Sequence, residues 1–270
     1  MMKHLYLRYL LFFITVLTIS SCKKTVITPI NTTAHINLKF AHYINGQPLH
    51  KDSMMYINAA GNHYEIDQLR YFISNVTLYK SDGTKTVIGT TKNINYVDID
   101  IDSTLSWNVT DKIPTGNYDS ITFVFGLTAS QNKSNIFVNA PESSMAWPDV
   151  LGGGYHYMQM NGKWKDTLSQ IQNFNFHLGI GQLYKNNVIN PDSIYAFVQN
   201  YFTVSLPNSS FTLNNSDTKE IELIMNIESW FTTPHNFDFN YWGGTVMQNQ
   251  PALQTIKENG HDVFTIGYIK

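Results

Sequence analysis

After position 22 this chain of 270 residues contains no cysteine. That absence removes thiolate nucleophiles, thiolate metal sites and internal disulfides together, because each needs a cysteine sulfur. Charge is also scarce. Lys and Arg number 18, Asp and Glu 20, and charged residues make up only 14% of the chain. A net charge of -2 provides no basic patch for nucleic acid, so none is expected as a partner. The usual enzyme signatures are missing: there is no G-x-S-x-G, no phosphate-binding glycine loop and no H-E-x-x-H. A non-catalytic protein is the expectation. There is no repeat of 20 to 50 residues and no low-complexity block either.

The N-terminus carries a targeting pattern. Lys3, His4 and Arg8 precede an apolar run from Leu10 to Ile19, which ends in Ser20-Ser21-Cys22. The run falls well short of the roughly 20 residues a membrane-spanning helix needs. A basic start, a short apolar stretch and small residues before a cysteine make a lipoprotein signal peptide over residues 1–21. Cys22 then becomes the acylated N-terminus, which removes an otherwise reactive thiol. An ordinary cleaved signal with a chance cysteine is the alternative. The lipid reading places the protein in the cell envelope, on the periplasmic or surface side of the inner or outer membrane. Residues 22–33 are polar and read as a flexible tether. Residues 34–270 read as one domain.

Within that domain strand signals recur. Ile36, Leu38 and Phe40 alternate with Asn37, Lys39 and Ala41 before an Asn45-Gly46 turn. Residues 69–79 alternate again, with a break at Ser74-Asn75 that predicts a bulge; residues 67–72 also allow an opening helical turn. Further strands are predicted over 86–88, 96–101, 118–125, 156–160, 171–178, 194–206, 220–227 and 263–269. The best helical signal is Pro251 to Glu258, with proline in the first turn and Asn259-Gly260 as a stop. The expected fold is mostly β: a single β-sandwich-like domain with a short C-terminal helix.

Histidine is the remaining metal-ligating residue type, and imidazole suits copper, zinc and nickel. Three histidines stand out. His42 closes the first strand between Phe40 and Tyr43. His156 follows Gly152-Gly153-Gly154-Tyr155, and His177 lies in Phe174-Asn-Phe-His-Leu-Gly179. A hydrogen-bonded histidine at a strand end is the plainer reading of each. Met145 and Trp147 sit just upstream of His156. Thioether and indole suit a soft Cu(I) environment, while core packing is their commoner use. Asp98, Asp100 and Asp102 alternate with Val97, Ile99 and Ile101, which predicts a solvated sheet face ahead of a calcium site. Trp230, Phe231, Phe237, Phe239, Tyr241 and Trp242 cluster in sequence. They offer an aromatic platform for a carbohydrate or peptide, or else a piece of core.

Five segments occur in order: Phe40-Ala-His42 through Pro48-Leu49, Leu69-Arg-Tyr71 through Leu78, Pro114-Thr-Gly116 leading to Phe125-Gly-Leu127, Met145-Ala-Trp147 with Gly154-Tyr155, and Phe174 to Gly179. Together they resemble the MbnP-like copper-binding proteins, in particular lipoprotein members from Bacteroidetes-type bacteria. The resemblance implies a β-rich domain that binds copper, expected as Cu(I), for sequestration or delivery. It also implies a tryptophan oxidised to kynurenine beside the ligating histidines, and an association with a dihaem peroxidase-like partner. Met145, Trp147 and His177 fall on the matching segments, with His156 and His42 as further ligand candidates. Asp149 stands where relatives often show a second tryptophan. A surface lipoprotein that binds carbohydrate or peptide on the aromatic cluster is the alternative.

Overall fold

In a computed structural model, the described residues are 32–90 and 92–270. The signal peptide, Cys22 and the tether up to residue 31 lie outside them. The principal strands are β1 (Thr33–Ile44), β2 (His63–Tyr79), β3 (Ile94–Asp98), β4 (Ser120–Phe125), β5 (Met158–Lys165), β6 (Ile171–Leu178), β7 (Gly181–Tyr184), β8 (Ile194–Val198), β9 (Phe202–Leu206), β10 (Thr218–Asn226) and β11 (Phe264–Ile269). Two helices join them: α1 (Phe239–Trp242) and α2 (Gln250–Asn259). The strand period of two sorts β1 as its sequence predicts, with Ile36, Leu38 and Phe40 buried along one face. β1 already includes Thr33, and the Thr32 carbonyl accepts from Thr115 N–H at 3.1 Å, so the fold begins slightly before the predicted boundary.

The fold is mostly β, with the architecture of a β-sandwich. One sheet runs β11–β10–β1, with β1 and β10 parallel. The other is organised around β2, which pairs with β3, β4 and β5; β6 continues from β5 and β9 from β4. The sheets meet through aromatic rings. Phe264 of β11 packs edge-on to Phe123 of β4 at 5.0 Å and to Tyr71 of β2 at 6.1 Å.

The central strand β2 has a forked edge. The N–H of Phe72 donates to the Tyr157 carbonyl at 2.9 Å, and its C=O accepts from Gly126 N–H at 2.8 Å. The N–H and C=O of one strand residue point to the same side. β5 therefore occupies this edge up to Tyr71, β4 takes it over from Ile73, and the two diverge at Phe72.

Three sequence expectations need correction. Residues 67–72 are strand, without a helical turn, because Gln68 to Tyr71 pair with β5 and Leu69, Tyr71 and Phe72 are buried. The predicted strand over 194–206 is two strands. They separate at Asn200, a fully buried residue whose amide donates to the Gly179 carbonyl at 2.9 Å and so turns the chain from β8 to β9. β3 ends at Asp98, so Asp98, Asp100 and Asp102 share no sheet face. The buried Asp98 carboxylate accepts from Asp100 N–H at 3.0 Å and from Tyr96 O–H at 2.6 Å, which bends the chain; Asp100 pairs with Lys51. The predicted break at Ser74-Asn75 is present: Asn75 has φ of 52°, and the β2–β4 register slips opposite it. The predicted helix is α2, capped by the Asn249 side chain at its start.

Candidate metal centre

The outer face of the β2 sheet, away from the sandwich interior, carries the polar cluster of interest. Along β5, Met158, Met160 and Trp164 are buried, while Asn161 and Lys163 on the outer face are only half-buried. Along β6, Phe174, Phe176 and Leu178 point in, leaving His177 half-buried on the outer face. Register then lines up Arg70, Gln159 and His177 as one cross-strand row, with Gln68 and Asn161 in the next. Directly opposite side chains on one face stand about 5 Å apart.

A long excursion between β4 and β5 covers part of this face. Phe72 stacks on Phe137 at 5.3 Å, and Tyr155 closes on Phe137 at 4.9 Å. The excursion doubles back as a narrow ribbon, in which His156 N–H donates to the Met145 carbonyl at 2.7 Å and Trp147 N–H to the Gly154 carbonyl at 2.8 Å. The turn between them requires φ of 113°, 66° and 79° at Gly152, Gly153 and Gly154, a run of positive values that side chains resist. Trp147 and His156 thereby become neighbours, with ring centroids 4.6 Å apart, and His156 meets His177 at 4.9 Å with perpendicular rings. Trp147 is buried against Leu151 and Ile180, and its indole N–H donates to the Leu151 carbonyl at 3.2 Å. Gly179 makes the space: a Cβ there would lie 2.6 Å from the indole ring. An open cleft of about 370 Å³, lined by Ala146, Trp147, Asp149 and Tyr155 among others, adjoins the outer side of the indole.

The hydrogen bonds set the proton positions. Nδ1 of His156 lies 2.9 Å from the Met145 carbonyl, which can only accept, so Nδ1 carries the proton. Nε2 of His156 is left with its lone pair, buried and without a partner. Asn161 Nδ2 donates to Gln68 Oε1 at 3.0 Å, which turns Asn161 Oδ1 toward His177 Nε2 at 2.7 Å. Nε2 of His177 is therefore the donor, and Nδ1 keeps the lone pair. Both rings are held neutral. Burial pushes His156 down to about 4 with a smaller contribution from Arg70, and pushes His177 down to about 3 with contributions from His156 and Arg70.

The structure thus brings together His156, His177 and Trp147. Met145 contributes its carbonyl, while its side chain is fully buried with the main core. His42 is not part of the cluster. It lies on the buried face of β1, its Nε2 3.2 Å from the hydroxyl of Tyr71, which points into the sandwich. Arg70 and Phe72, on either side of Tyr71, point outward, so the β2 sheet separates His42 from the pair. Cys22 lies outside the described residues. The aromatic cluster is mostly interior: Trp230, Phe231, Phe237 and Phe239 are buried, Trp242 is half-buried and Tyr241 is exposed. Sequence reasoning missed Asn161, Gln68, Arg70 and Gln159. Their signal was polar alternation within β2 and β5, which acquires meaning only once the strands are in register.

Among the described residues, no three or more of His, Cys, Asp and Glu group together to hold a metal ion. A pair of neutral imidazoles without carboxylate or thiolate is poor for zinc, which favours four ligands, and for calcium, which needs oxygen. It fits low-coordinate Cu(I), and the orphaned Nε2 of His156 is a donor in want of an acceptor.

Fold and site define a β-sandwich protein with an imidazole pair and an indole packed on the outer face of one sheet. The MbnP family profile matches residues 33–248, and the chain belongs to that family. In overall structure the chain is similar to MbnP from Methylosinus trichosporium. The two share 14% identity and a TM-score of 0.54, over 87% of this chain and 98% of that one. A search of curated protein sequences returned no match. Membership in the family suggests a copper-associated function.

Proposed function

We propose that this protein binds copper as Cu(I) through Nε2 of His156 and Nδ1 of His177, beside Trp147, and holds the ion for sequestration or delivery without turning over a substrate. The observation that supports this most is the buried, unpartnered Nε2 of His156, whose other nitrogen is already committed to the Met145 carbonyl. A lone pair kept dry and neutral costs free energy unless something binds it. Asn161 and Gln68 orient His177, Met145 orients His156, and Trp147 excludes water from one side. Copper, when bound, supplies the electrophile that these lone pairs satisfy.

Three further parts complete the reading. Cys22 is acylated after removal of residues 1–21, anchoring the protein in the cell envelope. Trp147 is the tryptophan proposed for conversion to kynurenine; its proximity to His156 and its position in the wall of an open cleft support that reading. A dihaem peroxidase-like protein is the partner proposed for that oxidation. Intact-mass measurement of membrane-extracted protein tests the lipid and Trp147 together.

The deciding experiment is anaerobic Cu(I) titration against a chromophoric chelator, for the parent, His156→Ala and His177→Ala, with apo-protein melting alongside. Each variant is expected to lose at least 100-fold in copper affinity, and His177→Ala to melt close to the parent. If both variants bind one copper as tightly as the parent, the site is wrong.

A further inference from the structure

Arg70 is the charged residue nearest in register to the histidine pair. It lies on the outer face of β2, directly opposite Gln159, which is directly opposite His177 on the far side. Its Nε donates to Gln159 Oε1 at 2.6 Å, and Gln159 is itself buried, so the guanidinium is tethered toward the row that His177 completes. The guanidinium makes no close ion pair: among the described residues no carboxylate lies within 4.0 Å of it, a distance at which seven other pairs are found. Its cross-strand partner on the other edge is Asp98, whose carboxylate lies beyond that distance, on the side of Arg70 away from His177. Lys163, another cation on this face, is paired with Glu65 and Asp67. Both imidazoles feel the Arg70 charge as a contribution against protonation.

We propose that Arg70 is a charge filter for the site, making the His156–His177 pair select monovalent copper over divalent ions. This rests on the copper reading above. Two imidazoles disfavour Zn(II) only through their low ligand number; as neutral donors they add no selection by charge. A fixed positive charge repels a dication twice as strongly as a monocation. Across two strand spacings, roughly 10 Å, and with an effective dielectric constant of about 20, one extra unit of charge changes affinity about tenfold. Gln159, between Arg70 and His177 in register, is buried, as is His156, which keeps that repulsion from being fully screened. The guanidinium touches no ligand atom. It acts through its field and through Gln159.

The test compares Cu(I) and Zn(II) affinities, each by chelator competition, in the full folded protein and in Arg70→Met and Arg70→Lys. Arg70→Met is expected to gain about tenfold in Zn(II) affinity relative to Cu(I), and Arg70→Lys to retain the parent ratio. A purely structural role would weaken both metals equally in Arg70→Met and is excluded by a changed ratio. Should Arg70→Met fail to fold, the parent alone carries the test: raising the salt concentration should narrow its preference for Cu(I), since screening weakens the filter. An unchanged ratio in Arg70→Met, or in the parent across salt where that is the arm used, overturns the charge filter while leaving the copper site standing. A parent that binds no Cu(I) overturns both.

Discussion

The side-chain oxygen of Asn161 accepts the Nε2–H of His177 at 2.7 Å, and this contact decides which nitrogen of the ring is free. Outer partners of ligating histidines act in this way: they fix the tautomer and ring orientation, and their loss typically weakens metal affinity 10- to 100-fold. Asn161→Ala should therefore lower Cu(I) affinity by about that factor while the apo protein stays folded. Chelator competition with a melting control reads both. Parent-like affinity would mean that His177 is oriented by something else.

Acid should destabilise the apo protein through its buried histidines. His42 and His156 move from an ordinary 6.5 to about 4 on folding, so between those values the unfolded chain binds more protons than the folded one. Stability then rises with pH across this window. It is fully present above about 6.5 and falls as pH drops toward 4, with His177 extending the loss toward 3. Chemical denaturation at a series of pH values should show this slope. Cu(I) affinity should stay nearly flat from neutral pH to about 5, because the free donors do not take up protons there.

His42→Leu separates the two roles of histidine. Copper stoichiometry should be unchanged, since β2 stands between His42 and the pair. The acid-dependent loss of stability should shrink, because one buried titrating group is gone. At neutral pH the variant should be less stable by about 1–3 kcal/mol, the usual penalty for leaving a buried group such as the Tyr71 hydroxyl without its partner.

Gly179→Ala places a methyl 2.6 Å from the Trp147 indole. The indole or the backbone must shift to admit it, so a destabilisation of about 1–3 kcal/mol is expected, together with a changed tryptophan emission. Copper affinity should fall as well, because the indole is packed against His156. A denaturant midpoint and a fluorescence spectrum are sufficient to check it.

Sheet content, the bulge at Ser74-Asn75 and the helix at Gln250–Asn259 were legible because each is written in a few neighbouring residues. Alternation gives the strand face, its break at Ser74-Asn75 gives the bulge, and proline in the first turn with Asn259-Gly260 as a stop gives the helix. The division at Asn200 was hidden, because its cause is a carbonyl on a distant glycine. At the site, His177 and Trp147 were singled out through the family resemblance, and His156 through its glycine-rich setting. His42 joins them in the sequence reading through its aromatic setting at the end of the first strand, between Phe40 and Tyr43. Nothing local says which side of a sheet a histidine faces relative to a partner more than a hundred positions away. The same holds for Arg70, Gln159 and Asn161, which become a functional row only through the register of β2, β5 and β6.

The forked edge at Phe72 also bears on association between molecules. A strand of 17 residues with an open side would be a long template for another chain. Instead, β5 and β4 divide one side of β2, while Tyr56–Ile57, β3 and Lys85–Val87 divide the other. Fraying of any one partner uncovers only a few backbone groups. The divided edge therefore limits intermolecular strand addition at the central strand during transient opening, so a protein rich in aromatic β-structure can open locally without offering its longest strand to a neighbour.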